Sequence, residues 1–431
     1  MTYRPVVDRF VAPVALDPPS AALFVAIFIA VALLTARRPA YGLCALVLTA
    51  PIAFAHEVLG TSITLAKVAL LGVLLGLSTY AGAFATLRNR RPAMLLGALA
   101  LVLIATLLSA SEAVAREAVL REGFKVVEYA ALFVAAFVGY RLDADDAALR
   151  NAVAIAAIAV ALSALVQEFI GAPSGLYIGS AVVPRIAGLL EGPNQLAGYC
   201  EIAVAALGAW TFVARSALID VALALAVCAE ILSFSRAGWA ALAVVGVVLA
   251  VAGGRRAWSS LRRGLYGLIA GLAGGAWWAI YARTPAVLRA SFEPSMYAGG
   301  VGNRGELWHA AWRMWLSHSL FGVGAGNFEL LLASYGVFGI RTHANSWYLQ
   351  ALAEGGILLA AATIGLLAAI FIALTGFPRV ARLRSASPWV VAAIAATLAL
   401  ALHQIVDYLI FYPKVGGAWW ILIGVGVAAV S

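Results

Sequence analysis

What this sequence lacks narrows its class first. Charged residues occupy 11% of its 431 positions, where soluble domains carry about 25%. Lysine is nearly missing: Lys67, Lys125 and Lys414 are the three present, so 26 of the 29 basic residues are arginine. The formal charge of +9 is therefore a poor sign of nucleic acid binding. Arginine holds phosphate bidentately and is less strongly hydrated than lysine, which suits a phosphate ligand at a membrane surface. Codon bias in a GC-rich genome explains the global excess equally well, but not where single arginines sit. The three cysteines, Cys44, Cys200 and Cys228, fall in apolar runs at unrelated spacings. They give neither a zinc pattern nor a disulfide framework and read as small buried residues.

What remains is apolar. Hydrophobic residues reach 64% and the mean hydropathy is +0.97. Runs of about 17–25 apolar residues cross a bilayer as helices, which satisfy their own backbone hydrogen bonds. The runs lack the alternation of barrel strands. The fold class is thus an all-α polytopic membrane protein. Candidate spans are 20–36, 39–55, 62–84, 92–110, 122–140, 151–171, 195–214, 216–233, 237–253, 264–282, 355–376, 388–410 and 416–430. That makes thirteen; the first two and the last are short, so twelve is as consistent. Residues 1–431 read as one integral-membrane domain. Near the N-terminus Arg4 and Arg9 are offset by Asp8 and Asp17, with no small-residue cleavage site after the first run. That run is expected to stay as a span.

Short basic loops stay in the cytoplasm. The connectors Arg37-Arg38, Arg88 to Arg91, Arg141 to Arg150, Arg215, Arg255 to Arg263 and Arg379 to Arg384 all fall on one side under strict alternation. The opposite face receives 56–61, 111–121, 172–194, the Ser233–Arg236 turn, 283–354 and 411–415. Arginines on this face are the exceptions, among them Arg185, Arg236, Arg283, Arg289, Arg304, Arg313 and Arg341. Several together point to an anionic ligand. The stretch from Arg283 to Glu354 is the one long polar interruption, and it also holds Glu293, Glu306, His309, His318 and His343. A connection this long is uncommon without a function, and it reads as the extramembrane half of an active site. Within it Trp308, Trp312 and Trp315 recur at i, i+4 and i+7 beside Leu307, Ala311 and Met314. This spacing predicts an amphipathic helix, either lying in the membrane interface or packed on the roof of the bundle.

Other motifs carry less. Phe321-Gly322-Val323-Gly324-Ala325-Gly326-Asn327 follows no parallel strand and opens no βαβ unit, so it reads as a tight turn and not a nucleotide loop. Asp143-Ala144-Asp145-Asp146 is like the DxD metal motif of soluble nucleotide-sugar glycosyltransferases, but between Arg141 and Arg150 it reads as a solvated connector. No metal site is expected. His403 and Asp407 are placed one helical turn apart near the external end of a span, either as a functional or a structural pair. Lys67 has no acidic partner in its own run; it snorkels or faces a polar cavity.

Taken in order, Arg185-Ile186-Ala187-Gly188, Pro193-Asn194-Gln195-Leu196-Ala197, Ser235-Arg236-Ala237-Gly238, Arg304 through Trp308 and Trp312, Phe321-Gly322-Val323-Gly324, His343-Ala344-Asn345 and Glu354-Gly355-Gly356 form a set. With its flanking spans, the set resembles the O-antigen ligase family, over about residues 180–410. That family includes relatives that polymerise O-antigen or glycosylate pilins. The resemblance implies a twelve-span glycosyltransferase of the polyprenyl-phosphate-using (GT-C type) membrane class, in a bacterial inner membrane. Its site would face the periplasm, with the loop 283–354 as its roof. The donor would be an undecaprenyl-diphosphate-linked polysaccharide. For a ligase the acceptor would be the lipid A–core; a polymerase or a protein O-oligosaccharyltransferase would use another acceptor at the same site. Arg185, Arg236, Arg304 and His343 match the family's functional residues. Asn194, Asn345, Arg341, Lys67, His403 and Asp407 are candidate supporting groups. A different class, a flippase or transporter of lipid-linked sugars, would favour internal repeats and mid-membrane polar residues; no repeat is evident and the polar residues gather at one face.

The residue types fit the transfer on their own. An attacking hydroxyl must lose a proton, which suits an imidazole of ordinary pKa about 6.5. A diphosphate leaving group needs its charge held rather than protonated, and arginine supplies that. Direct displacement would invert the anomeric centre. No cofactor is implied. With no clustered carboxylates in the external loops, transfer is expected to persist in EDTA. Loss of activity restored by one specific divalent ion would contradict the arginine reading.

Overall fold

The structure is a computed structural model that describes residues 14–52, 54–58, 61–170, 174–178, 181–282, 297–298, 301–338, 342–376 and 385–431. Its helices are α1 (Pro18–Arg37), α2 (Pro39–Thr49), α3 (Leu65–Ser78), α4 (Arg90–Leu108), α5 (Arg116–Leu142), α6 (Asp146–Ile170), α7 (Pro193–Trp210), α8 (Ala217–Leu232), α9 (Arg236–Ala282), α10 (Val301–Ser317), α11 (Trp347–Thr375), α12 (Pro388–His403) and α13 (Pro413–Ala428). Among the described residues, six helices are long and apolar enough to cross a membrane: α1, α4, α5, α6, the first part of α9 and α11. α2, α3, α12 and α13 are shorter apolar helices. Local chemistry sets their starts. Proline occupies the first turn of α1, α2, α7, α12 and α13, where its missing N–H costs nothing. Asp17, Thr64 and Ser346 cap α1, α3 and α11 through their side chains.

Two expected spans are corrected. The run 39–55 gives an eleven-residue helix, α2, about 16 Å long at 1.5 Å per residue and too short to cross alone. The run 62–84 is α-helical only over Leu65–Ser78. Between them the chain turns back as a hairpin, β2 (Ala55–Val58) against β3 (Thr61–Thr64), with β1 (Val14–Ala15) parallel to β2. Thr61-Ser62-Ile63-Thr64 is β-branched enough to prefer a strand over a helix start. A second small sheet joins β4 (Ser174–Ile178), β5 (Ala181–Arg185) and β6 (Tyr297–Ala298).

Cross-contacts tie the helix ends into two faces. At one face Arg38 bridges Asp143 and Asp145 at 3.2 Å each, Asp146 accepts from Tyr140 and Trp389, and Arg91 donates to the Val430 carbonyl at 3.0 Å. The acidic run 143–146 is therefore spent on holding helix ends together. The hairpins, the start of α7, the α8–α9 turn and the α12–α13 connection share the opposite face. α7 runs through the centre of the bundle, with every residue from Gln195 to Trp210 buried. Close helix approach uses small residues: a Cβ at Gly424 of α13 would lie 2.8 Å from the Phe133 carbonyl oxygen of α5.

α11 is broken at Gly356, whose φ of 61° is left-handed. The break exposes backbone groups that the glycine-rich segment satisfies. Val323 N donates to Ala353 O, Gly324 N to Glu354 O and Ile357 N to Ser319 O, each at 2.9 Å. The Glu354 carboxylate accepts from Phe328 N at 3.1 Å. The Phe321–Asn327 segment is thus a turn, as its sequence predicts, and also a clasp on α11. A Cβ at Gly356 would fall 2.3 Å from the Leu320 carbonyl oxygen. Gly356→Ala is expected to lower the thermal midpoint of the detergent-purified protein, through both that clash and about 1–3 kcal/mol of backbone strain. Gly365→Ala in the same helix, with open space around its Cβ position, should leave it unchanged. Equal midpoints for the two variants would contradict the clasp.

Candidate active site

Four segments converge at the hairpin-bearing face. α10 packs down through Leu307, Ala310, Ala311 and Met314, all at most 2% exposed, while Trp312 and Leu316 on its outer side are 47% and 61% exposed. The helix is thus both packed on the roof and apolar on its outer side. The three tryptophans flank the buried stripe rather than forming it. Arg304 lies in the first part of α10 and its Nε is buried without a hydrogen-bond partner. Burial pushes its guanidinium below the usual range, Arg236 lowers it further and the charge of Asp407 raises it. Three sequence-distant charged groups therefore share one electrostatic neighbourhood. Arg236 is the first residue of α9 and is exposed on this face.

Asp407 is 2% exposed and organises the cluster. One carboxylate oxygen accepts from Asn194 Nδ2 at 2.5 Å and the other from the Tyr408 backbone N–H at 2.7 Å. Asn194 Oδ1 accepts from Arg185 Nη2 at 2.8 Å, and Arg185 Nε donates to Ser233 O at 2.7 Å. This chain joins the end of β5, the start of α7, the α8–α9 turn and the α12–α13 connection. Arg185 is thereby fixed by two contacts before any ligand arrives.

His343 is 8% exposed, its ring edged by Tyr408, Phe411 and Tyr412 at 5.7–6.0 Å between centroids. Its Nδ1 accepts from the Asn345 backbone N–H at 3.1 Å and its Nε2 lies 3.1 Å from Tyr412 Oη. The neutral ring therefore carries its proton on Nε2 and donates it to Tyr412. The lone pair needed by a base is occupied by Asn345, whose φ of 49° is strained for a residue with a side chain. Burial depresses the His343 pKa, Asp407 raises it, and Arg304 and Lys125 lower it.

The other candidates separate. His403 and Asp407 are not a helical pair: α12 ends at His403, and Asp407 belongs to the following turn. His403 instead meets Glu201 at 2.5 Å, while Asp407 meets Asn194. Lys67 has a partner after all, Glu128 of α5 at 3.5 Å, and donates to Ser62 O at 2.9 Å. His309 is exposed and His318 lies 3.9 Å from Glu112. Arg283, Arg289, Glu293 and Arg341 lie outside the described residues. Among the described residues no three His, Cys, Asp or Glu side chains gather as a metal site.

Residues 221–364, about a third of the chain, match the family model described as O-antigen ligase. The chain carries an O-antigen ligase family domain. No curated protein matches it. The matched O-antigen ligase segment holds Arg236, Arg304 and His343; Arg185, Asn194 and Asp407 come to them from outside it. Members of this family are glycosyltransferase-like enzymes, ligases and polymerases, associated with lipid-linked polysaccharides. Sequence reasoning misses Tyr412 and Glu201 as site residues. Glu201 is visible as a lone carboxylate in an apolar run, a signal for function or for a buried partner; a tyrosine stands out in no such way.

A base must be deprotonated to act, and burial shifts His343 toward the neutral form. The acid limb of kcat/KM is therefore expected below pH 6.5, falling as pH drops through the depressed pKa. An acid limb centred above pH 6.5 would contradict the assignment.

Proposed function

We propose that this chain is an O-antigen ligase. It would be a metal-independent, inverting glycosyltransferase that moves O-polysaccharide from undecaprenyl diphosphate to the lipid A–core at the periplasmic face of the inner membrane. The observation that carries the reading is the gathering of Arg185, Arg304 and His343 around Asp407, with Arg236 beside Arg304, at one end of an apolar helical bundle. The 283–354 segment would form the roof, and the face bearing Arg38 and Asp143 would lie in the cytoplasm.

The steps follow from the groups. The donor diphosphate docks against the arginines, with the partnerless Nε of Arg304 free to donate to a phosphate oxygen. The acceptor hydroxyl takes the place of the Asn345 N–H at His343 Nδ1. Its oxygen attacks the anomeric carbon, the proton passes to Nδ1, and the bond from carbon to phosphate oxygen breaks with its electron pair leaving on undecaprenyl diphosphate. The guanidiniums hold that charge. Tyr412 fixes the ring throughout, and Asp407 stabilises the imidazolium that forms. Back-side attack inverts the anomeric centre.

His343→Ala is expected to leave donor binding nearly intact and to cut the single-turnover rate by roughly 10²–10⁴-fold, the range for a lost general base. Arg236→Ala should weaken both binding and turnover, because the diphosphate is present in ground and transition states alike. Arg236→Lys should rescue only partly, since it keeps the charge and loses the fork. A wild-type rate in His343→Ala, in monodisperse protein, would remove the base assignment.

A further inference from the structure

One buried constellation is left over by the mechanism. Glu201 Oε1 on α7 lies 2.5 Å from His403 Nδ1, and His403 Nε2 lies 3.4 Å from Ser235 Oγ. Glu201 is 0%, His403 1% and Ser235 3% exposed. Ser235 Oγ also accepts from the Gly238 backbone N–H at 3.3 Å, so it caps the helix that begins with Arg236. The His403 ring bridges the two: its Nδ1 donates to the Glu201 carboxylate, and its Nε2 shares with the Ser235 hydroxyl a hydrogen bond that either atom can donate. The turn being held is strained: Phe234 has a φ of 53°. Arg185 grips the same turn from its other side through the Ser233 carbonyl. A strained turn persists only when its surroundings over-determine it, and here contacts on Ser233 and Ser235 hold the turn that leads into Arg236.

We propose that Glu201, His403 and Ser235 form a buried relay that positions Arg236 for the donor diphosphate. This rests on the functional reading above, and makes the three positioning residues and not catalytic ones. They set the direction of one arm of the arginine clamp from inside the bundle, so the central helix α7 is mechanically linked to donor binding.

The test is a double-mutant cycle on binding of undecaprenyl diphosphate to the detergent-purified full chain. Arg236→Ala should weaken binding about tenfold or more, as expected for lost charge-assisted hydrogen bonds. His403→Ala and Ser235→Ala should each weaken it about 3–10-fold in the wild-type background and hardly further in the Arg236→Ala background, since coupled residues are not additive. Glu201→Gln should bind nearly as wild type, because the amide oxygen still accepts from Nδ1, and Ser235→Thr should restore what Ser235→Ala loses. In turnover, the relay variants should raise KM for the donor and leave KM for the acceptor unchanged. If His403→Ala is not monodisperse, the Ser235→Ala and Ser235→Thr pair completes the same cycle. Equal losses in both backgrounds would overturn the relay while leaving the clamp intact. Wild-type binding by Arg236→Ala would overturn the clamp reading of Arg236, and the relay with it.

Discussion

A carboxylate taken out of water at the end of an apolar bundle has to be met by donors and positive charge, and Asp407 is where this protein meets that demand. Removing one partner of such a buried charge is far more costly than the pair is stabilising. The hydrogen bonds from Asn194 and the Tyr408 N–H, together with the charge of Arg304, are its compensation. That requirement draws the end of β5, the start of α7, the roof helix and the His343 segment to one point. The same arrangement leaves the cluster ready for an anion more highly charged than a carboxylate.

The glycine-rich clasp does the equivalent work for backbone groups. A helix broken at Gly356 would strand N–H and C=O groups at membrane depth, where each costs several kcal/mol. Folding the 319–324 backbone onto the break removes that cost and fixes the segment between α10 and His343. The strain left over is concentrated at Phe234 and Asn345, beside Arg236 and His343. In the proposed reaction the acceptor hydroxyl takes over the protein contact at Asn345.

Hydropathy made the order of the helices legible and alternation gave their faces, because apolar length and basic connectors are direct consequences of a bilayer. It misjudged residues 39–84, since hydropathy counts apolar residues and does not see the chain reverse through Ala55–Val58 and Thr61–Thr64. At the site, Arg185, Arg236, Arg304 and His343 could be named from an ordered set of short motifs. The link from Arg185 to Asp407 could not, because it passes through Asn194 across 213 positions of chain. The helical pairing of His403 with Asp407 failed for a local reason: the helix ends at His403. Glu201, the true partner, was legible only as a charge where none is cheap.

The central claim is that this polar end makes a glycosidic bond. The most direct measurement gives the detergent-purified protein an isotopically labelled undecaprenyl-diphosphate-linked oligosaccharide and lipid A–core, and follows both products. The account predicts one new glycosidic bond of inverted anomeric configuration for each undecaprenyl diphosphate released. Retention of configuration, or an unchanged donor in a protein that only moves it between leaflets of a vesicle, would contradict it.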